Sequence, residues 1–285
     1  MIQSMTGYGK SILQLPSKKI SIEIKSLNSK NLDLNARMPS HYREKEMTLR
    51  DHLAKALIRG KIDFNLYVEI SGETTTSVVN EVVVKGYMNQ LKNVVDVNDA
   101  ELLKMAIRLP DTLTTERDEI NEDEFQQILD SVNEALDAII EYRSDEGKVL
   151  ETDFKNRINT IADLLMQVET IDTERIAHVR TRLEKAVADL KTDVDANRFE
   201  QELIYYLEKY DITEEKVRLK NHLDYFLETL SSSDSNGKKL GFISQEIGRE
   251  INTIGSKANY APMQQLVVQM KDELEKIKEQ ALNVL

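Results

Sequence analysis

Cysteine is absent from all 285 residues, which excludes disulfides and zinc–thiolate centres and makes the reducing cytoplasm the expected setting. No apolar run approaches the ~20 residues that a membrane span requires. The opening MIQSMTGYGK lacks the apolar core of a signal peptide. Proline and glycine are scarce, at four and ten residues. Only Pro110 and Pro262 fall beyond the first module, so long helices with few breaks are expected. Aromatic residues make up 6% of the chain, which restricts any stacking surface to a few side chains. No HExxH, Walker A or GxGxxG pattern occurs, so P-loop and hydride-transfer chemistry have no support.

What is present is a globular composition, 40% hydrophobic and 31% charged, with a net charge of −12. That charge is segregated. Residues 111–146 hold thirteen acidic and two basic side chains, whereas residues 1–70 hold twelve basic against seven acidic. The stretch 237–257 has four basic and two acidic residues. An acidic molecule can thus still present a basic surface to phosphates.

Residues 1–70 alternate as strands do. Ile20, Ile22 and Ile24 face one way, Leu32, Leu34 and Ala36 repeat the pattern, and the polar Ser26–Asn31 between them predicts a hairpin. His41–Ile58 has helical spacing, Gly60 ends it, and Lys61–Ile70 is a further strand. A small mixed or antiparallel sheet with one covering helix makes this an α+β module. From Asn80 onward the periodicity is helical. Expected helices are Asn80–Val95, Asn98–Ile107, Asn121–Tyr142, Ser144–Thr170, Thr173–Thr192, Asn197–Tyr210 and Ala261–Val284. The expected organisation is an N-terminal module over 1–80, long helices over 81–195 and a helical C-terminal domain over 196–285. Ser231–Gly237 reads as a flexible loop.

Chemistry concentrates around that loop. In GKKLGFISQEIGREINTIGSK, Leu240, Ile243, Ile247, Ile251 and Ile254 form one apolar stripe of a helix. Glu246 and Glu250 lie one turn apart on its border, where they repel unless a cation relieves them. Gly241 and Gly248 remove side-chain volume on one side, so another backbone can approach. The preceding helix, from Asp211, carries Glu215, Arg218 and His222 at helical steps beside the stripe of Ile212, Leu219, Leu223 and Phe226. A short loop would set the two helices antiparallel, bringing Glu215 and His222 within reach of Glu246 and Glu250. One imidazole with several carboxylates suits Mg²⁺ or Mn²⁺, and Ni²⁺ is a further option. Simpler roles exist for the same residues: Asp211 with Glu214 as a helix cap, Glu215 with Arg218 as a surface ion pair, and His222 as a half-buried, hydrogen-bonded histidine.

These residues resemble the YicC/YloC family of bacterial endoribonucleases. The likeness runs through MIQSMTGYGK, Glu23-Ile-Lys-Ser-Leu-Asn28, Pro39, Arg59-Gly60-Lys61, Asp145-Glu-Gly147 and Arg198-Phe-Glu-Gln-Glu202. It continues through Asp211-Ile-Thr-Glu-Glu215, Arg218-Leu219 and His222, and ends on the long motif 237–257. The resemblance places the family N-terminal domain to about residue 150. It implies a metal-dependent endoribonuclease that assembles as a hexamer and encloses RNA. The family positions carried over are Glu202, Glu215, Arg218, His222, Glu246, Arg249, Glu250, Asn252, Ser256 and Lys257. Gly241, Gly248 and Ser29 depart from the family pattern, which has aspartate, asparagine and histidine there.

On this basis His222, Glu246, Glu250 and Glu215 are expected to be catalytic and to hold one or two divalent cations, with water as the nucleophile or, alternatively, the 2′-hydroxyl. Arg249, Lys257, Lys238 and Arg218 would contact phosphates, while Arg59, Lys61 and Asn28 at the rim of the sheet would guide the RNA. Tyr8 and Tyr260 are the expected stacking residues. No membrane or nucleotide cofactor is expected as a partner. The rivals are a non-catalytic RNA-binding adaptor that presents RNA to other nucleases, and a purely structural helical oligomer.

Overall fold

Alternating isoleucines build the centre of the N-terminal sheet in the computed structural model, which describes residues 2–70, 78–114, 121–189, 196–232 and 237–285. Strands β1 (Gly7–Gln14), β2 (Lys18–Leu27), β3 (Leu32–Arg37) and β4 (Gly60–Ile70) lie in the order β1-β2-β4-β3. β2 runs antiparallel to β1 and β4, and β3 runs parallel to β4. The expected hairpin across Ser26–Asn31 is therefore not made, because β4 inserts between β2 and β3. Local alternation reports which face a strand buries, not which strand lies beside it. Ile20, Ile22 and Ile24 stand opposite Val68, Leu66 and Phe64. A slip of one residue would turn that apolar set to solvent, so burial sets the register.

Two helices cover the sheet, not one. Helix α1 (Glu46–Leu57), preceded by a 3-10 turn at Ser40–Lys45, contributes Leu49, Leu53 and Leu57. The second cover is the start of α4 (Glu122–Asp189), through Ile128, Val132, Ala135 and Ile139. β1 crosses α4 closely enough that a Cβ on Gly9 would collide with the Ala135 carbonyl oxygen. Between α1 and α4, helices α2 (Glu81–Lys92) and α3 (Asp99–Ala106) pack on each other. Both are capped, as Asn80 Oδ1 accepts from the Val83 amide and Asn98 Oδ1 from the Glu101 amide. The two-residue strands β5 (Val78–Val79) and β6 (Leu113–Thr114) pair beside them.

Three helices were expected over 121–192, but α4 is a single helix of 68 residues, about 100 Å long. No proline interrupts it. Gly147, its one glycine, gives residues 2–3 room to cross: a Cβ there would meet the Ile2 carbonyl. The helix thus joins two cores. Its later turns supply Phe154, Ile158, Ile161, Leu165 and Val168 to a bundle with α6 (Thr213–Ser231), α7 (Gly237–Ala258) and α8 (Ala261–Ala281). α5 (Ala196–Lys209) returns along the far end of α4. The loop expected at Ser231–Gly237 falls largely on residues 233–236, outside the described residues. Among the described residues no helix is long and apolar enough to cross a membrane.

Of the two glycines expected to admit a neighbour, Gly248 does so, with α8 as the partner, whereas Gly241 borders open space. A Cβ on Gly255 would lie 2.9 Å from Val267 Cγ1, and one on Gly248 3.2 Å from Leu274 Cδ2. One on Gly237 would lie 2.6 Å from the Val284 carbonyl oxygen.

Candidate functional site

Helices α6 and α7 run antiparallel, and two contacts cross between them on one flank. Near the start of α6, Lys257 Nζ donates to Glu215 Oε1 at 2.7 Å and to the Asp211 carbonyl at 3.0 Å. Near its end, Lys239 Nζ lies 5.6 Å from the centre of the Tyr225 ring. On α7, Lys239, Glu246, Glu250 and Lys257 recur at steps of seven, four and seven residues and so share a face. On α6, Glu215 and His222 are likewise seven apart, with Arg218 and Tyr225 alongside. His222, Glu246 and Glu250 therefore occupy the seam between the two lysine contacts.

The four expected metal ligands share this seam but are not gathered. Glu215 is 5% exposed; one oxygen meets Lys257 and the other, Oε2, is buried with no hydrogen-bond partner among the described residues. Glu246 is paired with Arg249 at 2.7 Å, toward solvent. Glu250 is 9% exposed and makes no hydrogen bond or ion pair among the described residues, and neither does the half-buried His222. No group of three or more His, Asp or Glu side chains placed to hold a metal ion occurs among the described residues.

Neither simpler pairing forms as drawn. Arg218 pairs with Glu214, one turn away, and not with Glu215. Asp211 precedes the N-cap residue Ile212, and its Oδ1 accepts from the Thr213 hydroxyl at 2.7 Å and from the Thr213 amide. The hydroxyl bond is the chief reason its carboxyl is held below the ordinary aspartate value.

The remaining candidates for RNA contact divide into two sets. Lys238 and Lys61 are exposed and make no ion pair among the described residues, and Arg249 reaches outward from α7. Arg59 and Asn28 instead hold the last residues of the chain. Arg59 Nη2 donates to the Val284 carbonyl at 2.7 Å, and Asn28 Nδ2 to the Leu282 carbonyl at 2.8 Å. Gly237 packs on the same Val284 carbonyl, so the basic start of α7 and the Arg59 end of the sheet converge there.

Asn252 and Ser256 are exposed on α7, whereas Glu202 lies on α5 beside Leu203, in an apolar groove shared with Leu183 and Val187. Gly241 borders open space and lies five residues before Glu246, on a different side of the helix. Of the expected stacking residues, Tyr8 is exposed with Lys25 Nζ 5.6 Å from its ring centre, and Tyr260 is packed at 5.6 Å against His178. Lys239, Tyr225 and Phe242 border the seam without having been singled out in the sequence. Their signal was available: Tyr225 is three residues after His222, and Phe242 four before Glu246.

The chain also matches two domain families that together span nearly all of it. Residues 2–152 match the endoribonuclease YicC-like N-terminal region, and residues 168–285 the endoribonuclease YicC-like C-terminal domain. The chain belongs to the YicC-like family. A relative from Clostridioides difficile (strain 630), named probable endoribonuclease YicC, is 32% identical over 292 residues, with both chains covered in full. A protein of the same name from Haemophilus influenzae (strain Rd KW20) is 28% identical over 287 residues, again with both covered in full. The YicC-like C-terminal match contains the whole α6–α7 seam, and the N-terminal match contains the sheet and the first turns of α4.

Proposed function

We propose that this chain is a metal-dependent endoribonuclease that hydrolyses phosphodiester bonds in single-stranded or structured RNA inside a hexameric assembly. Its YicC-like relatives carry an endoribonuclease name, and that supports the reaction class. One observation carries the location: among the described residues His222 and Glu250 stand unpartnered, in a seam whose two ends are marked by Lys239 and Lys257. An unpaired, nine-tenths buried carboxylate is costly unless something else engages it.

The donor set suits a divalent cation in kind, though the four donors are not drawn together. Glu250, His222 and the free Oε2 of Glu215 are available, while Glu215 and Glu246 also hold Lys257 and Arg249. Mg²⁺ or Mn²⁺, with Ni²⁺ as an option, would be held by His222, Glu246, Glu250 and Glu215, and would stabilise phosphorane charge and lower the pKa of water. Arg249, Lys238, Lys257 and Arg218 supply phosphate contacts along the seam, and Lys61 extends them toward the sheet. Arg59 and Asn28 act beneath that surface by seating residues 282–284.

A second reading has its own observation. The engagement of Glu215 and Glu246 by internal cations suits a non-catalytic RNA-binding adaptor. Incubating purified protein and fluorescent single-stranded RNA with Mn²⁺ or with EDTA separates the two. Cleavage that requires Mn²⁺ and disappears in Glu246→Ala and Glu250→Ala, with binding retained, supports the nuclease. Binding without cleavage under every metal condition would leave the adaptor.

A further inference from the structure

We infer that Tyr225 and Phe242 are base-stacking residues that seat single-stranded RNA beside the α6–α7 seam, an inference that rests on the RNA-directed function proposed above. Phe242 is 58% exposed and, among the described residues, is the one large apolar side chain of α7 turned to solvent. Its neighbours on the outer side of that helix are polar: Lys238, Gln245, Arg249 and Asn252. Tyr225, on the facing helix, is 44% exposed. Neither ring is needed to fill the bundle, whose core is closed by Leu219, Leu223, Phe226, Ile243 and Ile247.

Their positions relate them to the unpaired donors. Tyr225 lies one turn from His222 along α6, and Phe242 one turn from Glu246 along α7, so both rings lie toward the Lys239 end. Lys239 Nζ sits over the Tyr225 ring, placing a cation beside an aromatic face. Aromatic faces with adjacent cations are the combination that binds single strands without sequence preference: the ring takes the base and the ammonium takes the backbone. A paired base has its faces covered by its neighbours, so this surface selects unpaired RNA.

Fluorescence anisotropy tests it, with fluorescein-labelled oligouridylate and a labelled RNA duplex, in EDTA, across a salt series. Tyr225→Ala and Phe242→Ala should each weaken oligouridylate binding about five- to 150-fold. Tyr225→Phe and Phe242→Tyr should bind like the wild type. Duplex affinity and the slope of log affinity against log salt should not change, because the phosphate contacts remain. Lys239→Ala should reduce that slope. Alanine variants that hold oligouridylate as tightly as the wild type would overturn the stacking role and leave the RNA-directed function standing. Alanine variants that lose duplex and single strand equally would also overturn it. A wild type that binds no RNA even at low salt would remove both.

Discussion

Glu215 and Lys257 meet at 2.7 Å between α6 and α7, and the carboxylate is 5% exposed with its second oxygen unpartnered among the described residues. The pair joins the first turn of one helix to the last turn of the other. It therefore sets how the two slide past each other, and with that which residues face across the seam.

Removing the cation leaves a buried charge uncompensated. Lys257→Met should destabilise the protein by about 2 kcal/mol, below the cost of breaking a fully buried pair because the lysine head is partly exposed. Glu215→Gln should cost less, since the neutral amide keeps the shape. Urea denaturation of both variants and of the double variant gives the coupling energy. A Lys257→Met midpoint equal to that of the wild type would show that the pair does not secure the helices.

The unpartnered donors should matter to chemistry more than to folding. His222→Ala and Glu250→Gln should lower RNA cleavage about 10²–10⁴-fold while the melting temperature stays level or rises. Single-turnover cleavage of a fluorescent RNA with Mn²⁺, paired with thermal melts, separates the two effects. Loss of cleavage that tracks loss of structure would remove the assignment.

Glycines in α7 differ by position. Gly241 has open space around it, so Gly241→Ala should stabilise by about 0.5–1 kcal/mol through helix propensity. Gly255→Ala should destabilise, because its methyl would press on Val267 and force α8 outward. Urea midpoints that moved in the same direction would contradict the α7–α8 packing.

Among the basic residues near the sheet, Arg59 and Lys61 should separate by assay. Arg59→Ala removes the bond to the Val284 carbonyl and should lower stability by about 1–2 kcal/mol. Lys61→Ala should leave the melting temperature unchanged and reduce the salt dependence of RNA binding. Melts and salt-series anisotropy on both variants check this.

Acid should weaken the N-terminal core through Glu124. Burial pushes its carboxyl up, but hydrogen bonds from Lys18 and Tyr42 outweigh that and hold it below the ordinary value of 4.5. A carboxyl depressed in the folded state stabilises above its unfolded value, and the contribution is lost as pH falls through the folded one. Glu124→Gln should therefore be less stable than wild type at neutral pH, with the gap closing below about pH 4.5. A gap that stayed constant across the pH range would exclude this linkage.

Much of this was legible in local pattern. The strand faces of β2 and β4 and the apolar stripe of α7 follow from spacing, because burial on one face imposes a period of two or 3.6 residues. The continuity of α4 was not legible. Polar breaks at Arg143 and Asp172 look like helix ends, yet both side chains are buried and bonded, Arg143 to Ser26 and Asp172 to Arg175 and Lys216. The roles of Arg59 and Asn28 were hidden for a related reason. Their partners lie 225 and 254 residues away, beyond any local signal.

By itself the sequence determined that the protein is an α+β chain ending in amphipathic helices, with acidic and imidazole side chains along one border of each of two successive helices, since periodicity and composition are properties of single segments. Only the tertiary structure decided that β4 separates β2 from β3, that one helix serves both cores, and that Glu215 pairs with Lys257 and Glu246 with Arg249 while His222 and Glu250 have no partner among the described residues. Those outcomes depend on which distant groups compete for the same partner, and that competition exists only once the chain is folded.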